Sequence, residues 1–239
     1  MPPPQNPHAH LIVHQYDFWL ARAAILVIVA LQLVIVNDLS VGPRWFAPAI
    51  ELCLLVPLSI GTAWTSRSYR RAASDNDWLS LGRGRRIVRR MAIALTAFST
   101  FMNLASLVLL TRSIIDGHAG TARTLLLDAI NIWSTNVVIF ALWYWTLDRG
   151  GPASRGLVPN EKRDFLFTQQ QLASEQSHFQ TWTPGFVDYL FLAFTNATAF
   201  SPADTFPLTP RAKILMMLEA LVSLVTIALV ASRAVGILN

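Results

Sequence analysis

The sequence predicts an all-α integral membrane protein with five transmembrane helices and one re-entrant half-helix hairpin before the last of them. Three observations carry this expectation. The 239 residues are 53% hydrophobic and 14% charged, against roughly 25% charged in an average soluble domain. Four apolar runs, over residues 18–36, 45–64, 88–111 and 125–147, are each about 20 residues long and match the hydrocarbon thickness of a bilayer. The last stretch, 185–239, sets a half-length apolar helix and a full-length one on either side of a Ser201-Pro202 break. Broken backbone of that kind is tolerated at membrane depth only where protein or a water-filled cavity covers it.

Residues 1–15 are proline-rich and carry His8, His10 and His14. They read as a flexible tail, although imidazoles a few residues apart are able to share a metal ion. No basic segment precedes the first apolar run, so no cleaved signal peptide is expected. In that first run Trp19 marks the interface and Arg22 is close enough to its end to snorkel. The second run is bracketed by Trp45 and Trp64 and is expected to kink at Pro57, which lacks a backbone donor. Glu51 lies about two turns into it. A carboxylate there has to face the bundle, pair or be protonated; the plainer reading is a shallow interfacial acid, the bolder one an ion or proton site.

An arginine-rich loop is expected over 65–90, so that 16–147 forms a four-helix transmembrane region around it. The third run sets Thr96, Ser99, Asn103 and Ser106 on one face, and the fourth does the same with Asp128, Asn131 and Thr135. Such stripes are the usual glue between spanning helices. Trp143, Tyr144 and Trp145 read as an interfacial aromatic belt, and Asp148 to Pro152 carries the Gly and Pro signals of a helix stop. Residues 148–184 then form a polar connecting loop, long enough to be functional or partly disordered.

The single Cys53 offers no disulfide framework and no thiolate cluster. The net charge of +5 comes from arginines beside apolar runs, which points to lipid headgroups and topology rather than to nucleic acid. With five spans and the 65–90 loop inside, Arg22, Arg67, Arg70, Arg71, Arg83, Arg85, Arg86, Arg89, Arg90, Arg149, Arg155, Lys162, Arg163, Arg211 and Lys213 are cytoplasmic. Only Arg44, Arg112, Arg123 and Arg233 fall outside. The bias puts the N-terminus and the mouth of the hairpin on the cytoplasmic side of an inner (plasma) membrane.

The C-terminal segment resembles the pore module of potassium-type tetrameric cation channels: pore helix, filter, proline-containing turn and inner helix. The match runs through Asp188, Phe194-Thr195 and Ala197-Thr198, then Asp204, Pro207 and Thr209, then Leu218 to Val222 and Ala231 to Gly236. The whole chain is also similar to a family of bacterial inner-membrane proteins, of no assigned activity, that end in such a segment. The resemblance implies pore- or filter-like positions at Asn196, Thr198, Ala199, Phe200, Ser201, Pro202, Ala203 and Asp204, and a homo-oligomer, tetrameric by that resemblance alone. It also implies a filter open to the outside, opposite to the side that the arginines indicate for the hairpin.

Where the filter reads T-V-G-Y-G in such channels, this chain has Ala199-Phe200-Ser201-Pro202-Ala203. A potassium filter turns successive carbonyls inward to replace the ion's hydration shell. That backbone needs the freedom of glycine, and Pro202 removes more of it. Potassium selectivity is therefore not expected. What survives is a half-helix whose C-terminal carbonyls favour a cation or a hydrogen-bond donor.

In the last helix Glu219, Ser223, Thr226 and Arg233 share a face. Glu219 is expected to pair with Arg211 or Lys213, or to hold pore helix to inner helix by a hydrogen bond. No metalloprotease, nucleophile-elbow or nucleotide-binding motif occurs, so no enzyme and no cofactor are expected. Two functions compete. One is a channel-like protein passing a cation or small solute with little selectivity; the other is a non-conducting membrane protein whose hairpin is a packed plug or docks a partner.

Overall fold

The computed structural model describes residues 15–34, 45–46, 48–53, 56, 75–117, 121–151, 163–180, 182–198 and 205–238. It is built of helices α1 (Gln15–Val34), α2 (Asp75–Ile115), α3 (Ala122–Leu147), α4 (Phe186–Ala197) and α5 (Pro210–Leu238), with strands β1 (Phe165–Phe167) and β2 (Thr205–Pro207). Among the described residues three helices are long and apolar enough to cross a membrane, over Arg86–Ile115, Arg123–Gly150 and Pro210–Ser232. Within them 67% of the α3 window is buried, against 33% in α2 and 28% in α5. That difference makes α3 the central post, packed against α1, α2, α4 and α5.

Helix α1 buries one stripe, Ala21, Ala24, Ile25, Ile28 and Val29, at the i, i+3, i+4 spacing of an amphipathic helix. At its exposed start the Arg22 guanidinium lies 5.1 Å from the centre of the Trp19 ring, one turn away and within cation–π range. The second apolar run, 45–64, lies largely outside the described residues, as do the tail 1–14 and the filter-like positions 199–204. Residues 48–53 are helical.

The loop expected over 65–90 is helical from Asp75 onward. Only its first ten residues escape that description, because they are not described. The reason is local: from 75 to 90 the chain holds no proline, and its five arginines and two leucines are good helix formers beside Gly82 and Gly84. At 41 residues α2 is about 62 Å long, twice the hydrocarbon thickness of about 30 Å, so its arginine-bearing start extends beyond the apolar part. Thr96, Ser99 and Asn103 are buried as one stripe, with Ser106 half-buried beyond them. The helix stops at Gly117, whose φ of 71° suits the left-handed cap residue. The next begins at Thr121, whose hydroxyl accepts from the Thr124 N–H at 3.3 Å.

Helix α3 ends at Asp148, and Arg149, Gly150 and Gly151 follow with φ of 52°, 77° and 90°. This left-handed turn redirects the chain toward β1. Trp143, Tyr144 and Trp145 are not an interfacial belt. Tyr144 is fully buried, Trp145 nearly so, and the Trp143 indole N–H donates to Thr100 Oγ1 of α2 at 2.9 Å. The central position of α3 turns these rings into core.

The region 148–184 is not simply a loop, and the fold is not purely α-helical. Phe165 and Phe167 of β1 pair antiparallel with Pro207 and Thr205 of β2, and a one-turn helix, Thr168–Gln171, follows β1. Alternation in β1 aims both phenylalanines inward, where Phe165 meets Tyr144 and Phe167 meets Tyr189 and Trp182 edge to face, at ring separations of 5.1 to 5.8 Å. β1 precedes α4 and β2 follows it, so their pairing sets a strand before α4 beside a strand after it. The Thr209 hydroxyl then accepts from the Ala212 N–H at 3.3 Å, and Pro210 takes the first helical position of α5, where its missing N–H costs nothing.

The two ends of the bundle differ in charge. Trp143 meets Thr100 at the ribbon end, whereas Leu107 and Leu110 of α2 meet Leu125 and Ala129 of α3 at the other. The Asn131 amide donates to the Leu31 carbonyl, which sets the start of α1 at the ribbon end as well. That end gathers Arg22, Arg86, Arg89, Arg90, Arg149, Arg163, Arg211 and Lys213; Arg112 and Arg123 lie at the other.

A β-carbon added at Gly151 falls 2.7 Å from the Thr146 carbonyl oxygen, in a backbone region with ψ of 172° that is essentially glycine-only. Gly151→Ala is expected to destabilise the detergent-solubilised protein by about 2–3 kcal/mol. Gly117→Ala, where nothing lies within 4 Å, is expected to cost about 1 kcal/mol. Thermal unfolding followed by circular dichroism checks both.

Candidate functional site

Helix α4 is fixed at both of its ends by a buried carboxyl group. At its start Gly185 is the N-cap, and its N–H donates to Asp188 Oδ2 at 2.7 Å, a carboxylate set where the helix dipole favours it. Phe186, Tyr189, Leu192, Ala193 and Ala197 are buried, whereas Val187, Phe191 and Phe194 point outward. Twelve residues give about 18 Å of helix, short of a full crossing.

Tyr189 donates its hydroxyl to Asp148 Oδ2 at 2.5 Å. The other oxygen of Asp148 accepts from the backbone N–H of Asp164, at 2.7 Å, and of Phe165, at 3.3 Å. Asp148 is 0% exposed, and Arg149 Nε lies 3.8 Å from it. Asp164 extends the chain of contacts, because its carboxylate accepts from the Thr209 hydroxyl at the start of α5. One buried carboxylate therefore joins the end of α3, the start of β1 and the first turn of α4.

At the far end of α4 the partner is Glu219, also 0% exposed. Its Oε2 accepts from the Tyr144 hydroxyl of α3 and from Asn196 Nδ2 of α4, the latter at 2.7 Å. Asn196 Nδ2 also reaches the Met216 carbonyl at 2.9 Å. From α3, Asn136 Nδ2 donates to Ser223 Oγ at 3.0 Å and to the Glu219 carbonyl at 3.3 Å. Glu219 Oε1 is buried with no hydrogen-bond partner among the described residues. A buried charge or acid in such surroundings is stable only when donors converge on it; here two helices supply them to the third.

The expected inner-helix polar face is thus a buried seam. Glu219 and Ser223 bond to α3 and α4, and Thr226 turns its hydroxyl to the Val222 carbonyl at 2.8 Å. The partners of Glu219 are Tyr144 and Asn196 rather than Arg211 or Lys213, both of which are exposed. Arg233 lies in α5, with its side chain outside the described residues. Thr198 closes α4 by donating to the Phe194 and Thr195 carbonyls, at 2.9 and 3.1 Å, so these helix-end carbonyls are partly occupied by their own chain. Ala199, Phe200, Ser201, Pro202, Ala203 and Asp204 lie outside the described residues.

A cavity of about 80 Å³ lies beside this seam, between Thr100 and Asn103 of α2, Asn136 and Phe140 of α3, and Leu218 and Val222 of α5. Neither Asn196 nor Thr198 lines it. Among the described residues no three His, Cys, Asp or Glu side chains converge as metal ligands would.

Tyr144 and Asn136 are the residues that sequence reasoning missed. Their signal was present: Asp128, Ile132, Asn136, Phe140, Tyr144 and Asp148 follow one i+4 row of α3, a ridge of the kind that packs into a neighbour's groove. No protein-family model, curated protein or solved structure matches the chain.

Tyr144→Phe and Asn196→Ala each remove one of the two donors to Glu219 Oε2, and each is expected to cost about 1–3 kcal/mol. Because they share one acceptor, the double variant is expected to depart from additivity by at least about 0.5 kcal/mol. Unfolding of the four proteins in one detergent measures that coupling.

Proposed function

We propose that the protein is a multi-pass membrane protein of channel-like build in which α4 and the residues after it form a re-entrant hairpin packed as a plug within the chain's own bundle. The observation that carries this reading is the joint hold of Tyr144 and Asn196 on Glu219, which ties the inner end of α4 to both α3 and α5. The pairing of β1 with β2 supports a hairpin that returns to the face it entered. The arginine bias supports a ribbon end that faces the cytoplasm.

The alignment of α5 supports a plug over an open path. Its polar residues Glu219, Ser223 and Thr226 are buried, whereas its large outward residues are Ile214, Met217, Leu218, Leu221, Leu224, Val225 and Ile227. Between Lys213 and Ser232 a face of that composition suits lipid tails or a hydrophobic constriction and offers a hydrated cation no side-chain oxygen.

A second reading is a weakly selective cation or small-solute pore that several copies enclose around their α4 and α5 faces. The low burial of α5 within a single chain and the outward stripe Val187, Phe191 and Phe194 of α4 leave room for such an assembly in the inner membrane. Both readings involve no enzymatic step.

Purified protein in liposomes separates them. The plug reading predicts cation flux no greater than that of empty vesicles, unchanged by a bulky residue at Ala199. Flux that disappears on Ala199→Trp and on Glu219→Ala, in protein that still elutes as a folded species, overturns it in favour of the pore.

A further inference from the structure

A second buried carboxyl group lies away from the hairpin, where the helical residues 48–53 meet α1 and α2. Glu51 is 0% exposed. Its Oε1 accepts from Ser99 Oγ of α2 at 2.6 Å and from Gln32 Nε2 of α1 at 3.0 Å. Its Oε2 is buried without a hydrogen-bond partner, and so is Oε1 of the same Gln32. An acid and an amide already joined by one N–H···O bond thus each leave an acceptor with no donor. Buried acceptors are normally satisfied, and these two belong to side chains already joined by a hydrogen bond.

A carboxylic acid supplies that hydrogen. In its neutral form one oxygen is an O–H donor and the other remains an acceptor. A neutral acid facing a primary amide closes two parallel bonds, amide N–H to acid carbonyl and acid O–H to amide carbonyl. We propose that Glu51 is a proton-binding site inside the bundle, with one proton on Oε2 bridging to Gln32 Oε1, so that residues 48–53 dock on α1 and α2 as a neutral acid–amide pair.

The surroundings favour a proton over a cation or a bare charge. Near Gln32 on α1 and Ser99 on α2 the neighbouring residues are apolar or uncharged, and the nearest arginines on those helices are Arg22 and Arg90. They are ten and nine residues away, about 15 and 14 Å along the axis. On α3 the ionisable residue closest to the Asn131–Leu31 contact is Asp128, a second acid, and Cys53 beside Glu51 is exposed. None of these offers a counter-charge. An alkali cation needs a shell of oxygens to replace its water; the side-chain oxygens brought together here are those of Glu51, Gln32 and Ser99, a set that suits a proton, which needs only two oxygens, better than an ion.

Infrared difference spectroscopy of the full chain in lipid bilayers at neutral pH tests this. The wild-type minus Glu51→Gln spectrum is expected to contain the carbonyl band of a protonated carboxyl, shifted in deuterated water and identical in sodium and choline buffers. Gln32→Met is expected to move that band to higher frequency, because the acid loses both amide bonds and keeps only the one from Ser99. Glu51→Gln puts an N–H where the acid O–H stands, so its thermal midpoint should equal that of the wild type. Loss of carboxylate bands instead of the acid band, a band that depends on sodium, a band unmoved by Gln32→Met, or failure of Glu51→Gln to fold each overturns the proposal.

Discussion

A carboxyl group inside an apolar bundle must collect hydrogen-bond donors from more than one helix, and Glu219 shows what that requirement does to this chain. The group sits on α5, and its donors come from α3 and α4. No one of the three helices can slide or rotate without leaving a buried oxygen unsatisfied, and such a loss is comparable to a sizeable part of a domain's net stability. Apolar packing alone would hold α4 less selectively, because lipid tails are as apolar as the side chains they would replace.

Asp148 applies the same constraint at the opposite end of α4. Tyr189 and Asn196 are seven residues apart, about two helical turns, and each donates to a different buried carboxyl group. The short helix is therefore anchored at both ends. Asp148 also fixes β1, whose aromatic residues fill the space between α3 and α4. Through Asp164 and Thr209 the same network reaches the start of α5. The twelve residues of α4 are held by side-chain donors at both ends.

Much of this architecture was legible because membrane helices write their lengths and faces plainly. The buried stripe of Thr96, Ser99 and Asn103, the helix stop after Leu147 and the common face of Glu219, Ser223 and Thr226 follow from periodicity and from the special torsions of glycine and proline. Three features did not follow. The start of α2 at Asp75 was hidden because polarity was read as loop, although helix propensity and polarity are independent. The ribbon of β1 and β2 is only three residues per strand, and its two halves are forty residues apart in sequence, so no local pattern marks the pairing. Tyr144 was hidden between two tryptophans: the triplet looks like an interfacial belt until the central place of α3 is known. Which helix is central depends on tertiary packing, and that is the information periodicity lacks.

The proposed packed hairpin would reconcile the sequence resemblance to a pore module with a filter-like segment unsuited to potassium. Donors to Asp148 and Glu219 position α4, while Ala199 to Ala203 lack the glycines that a carbonyl-lined filter needs. Cysteine accessibility tests the central claim most directly. With Cys53 replaced, single cysteines at Gln180 and Ser201 are exposed to an impermeant thiol reagent from each side of sealed vesicles. The account predicts that both react from the same side, with Ser201 slower because neighbouring helices shelter it. Reaction of Ser201 only from the side opposite to Gln180 would contradict the hairpin.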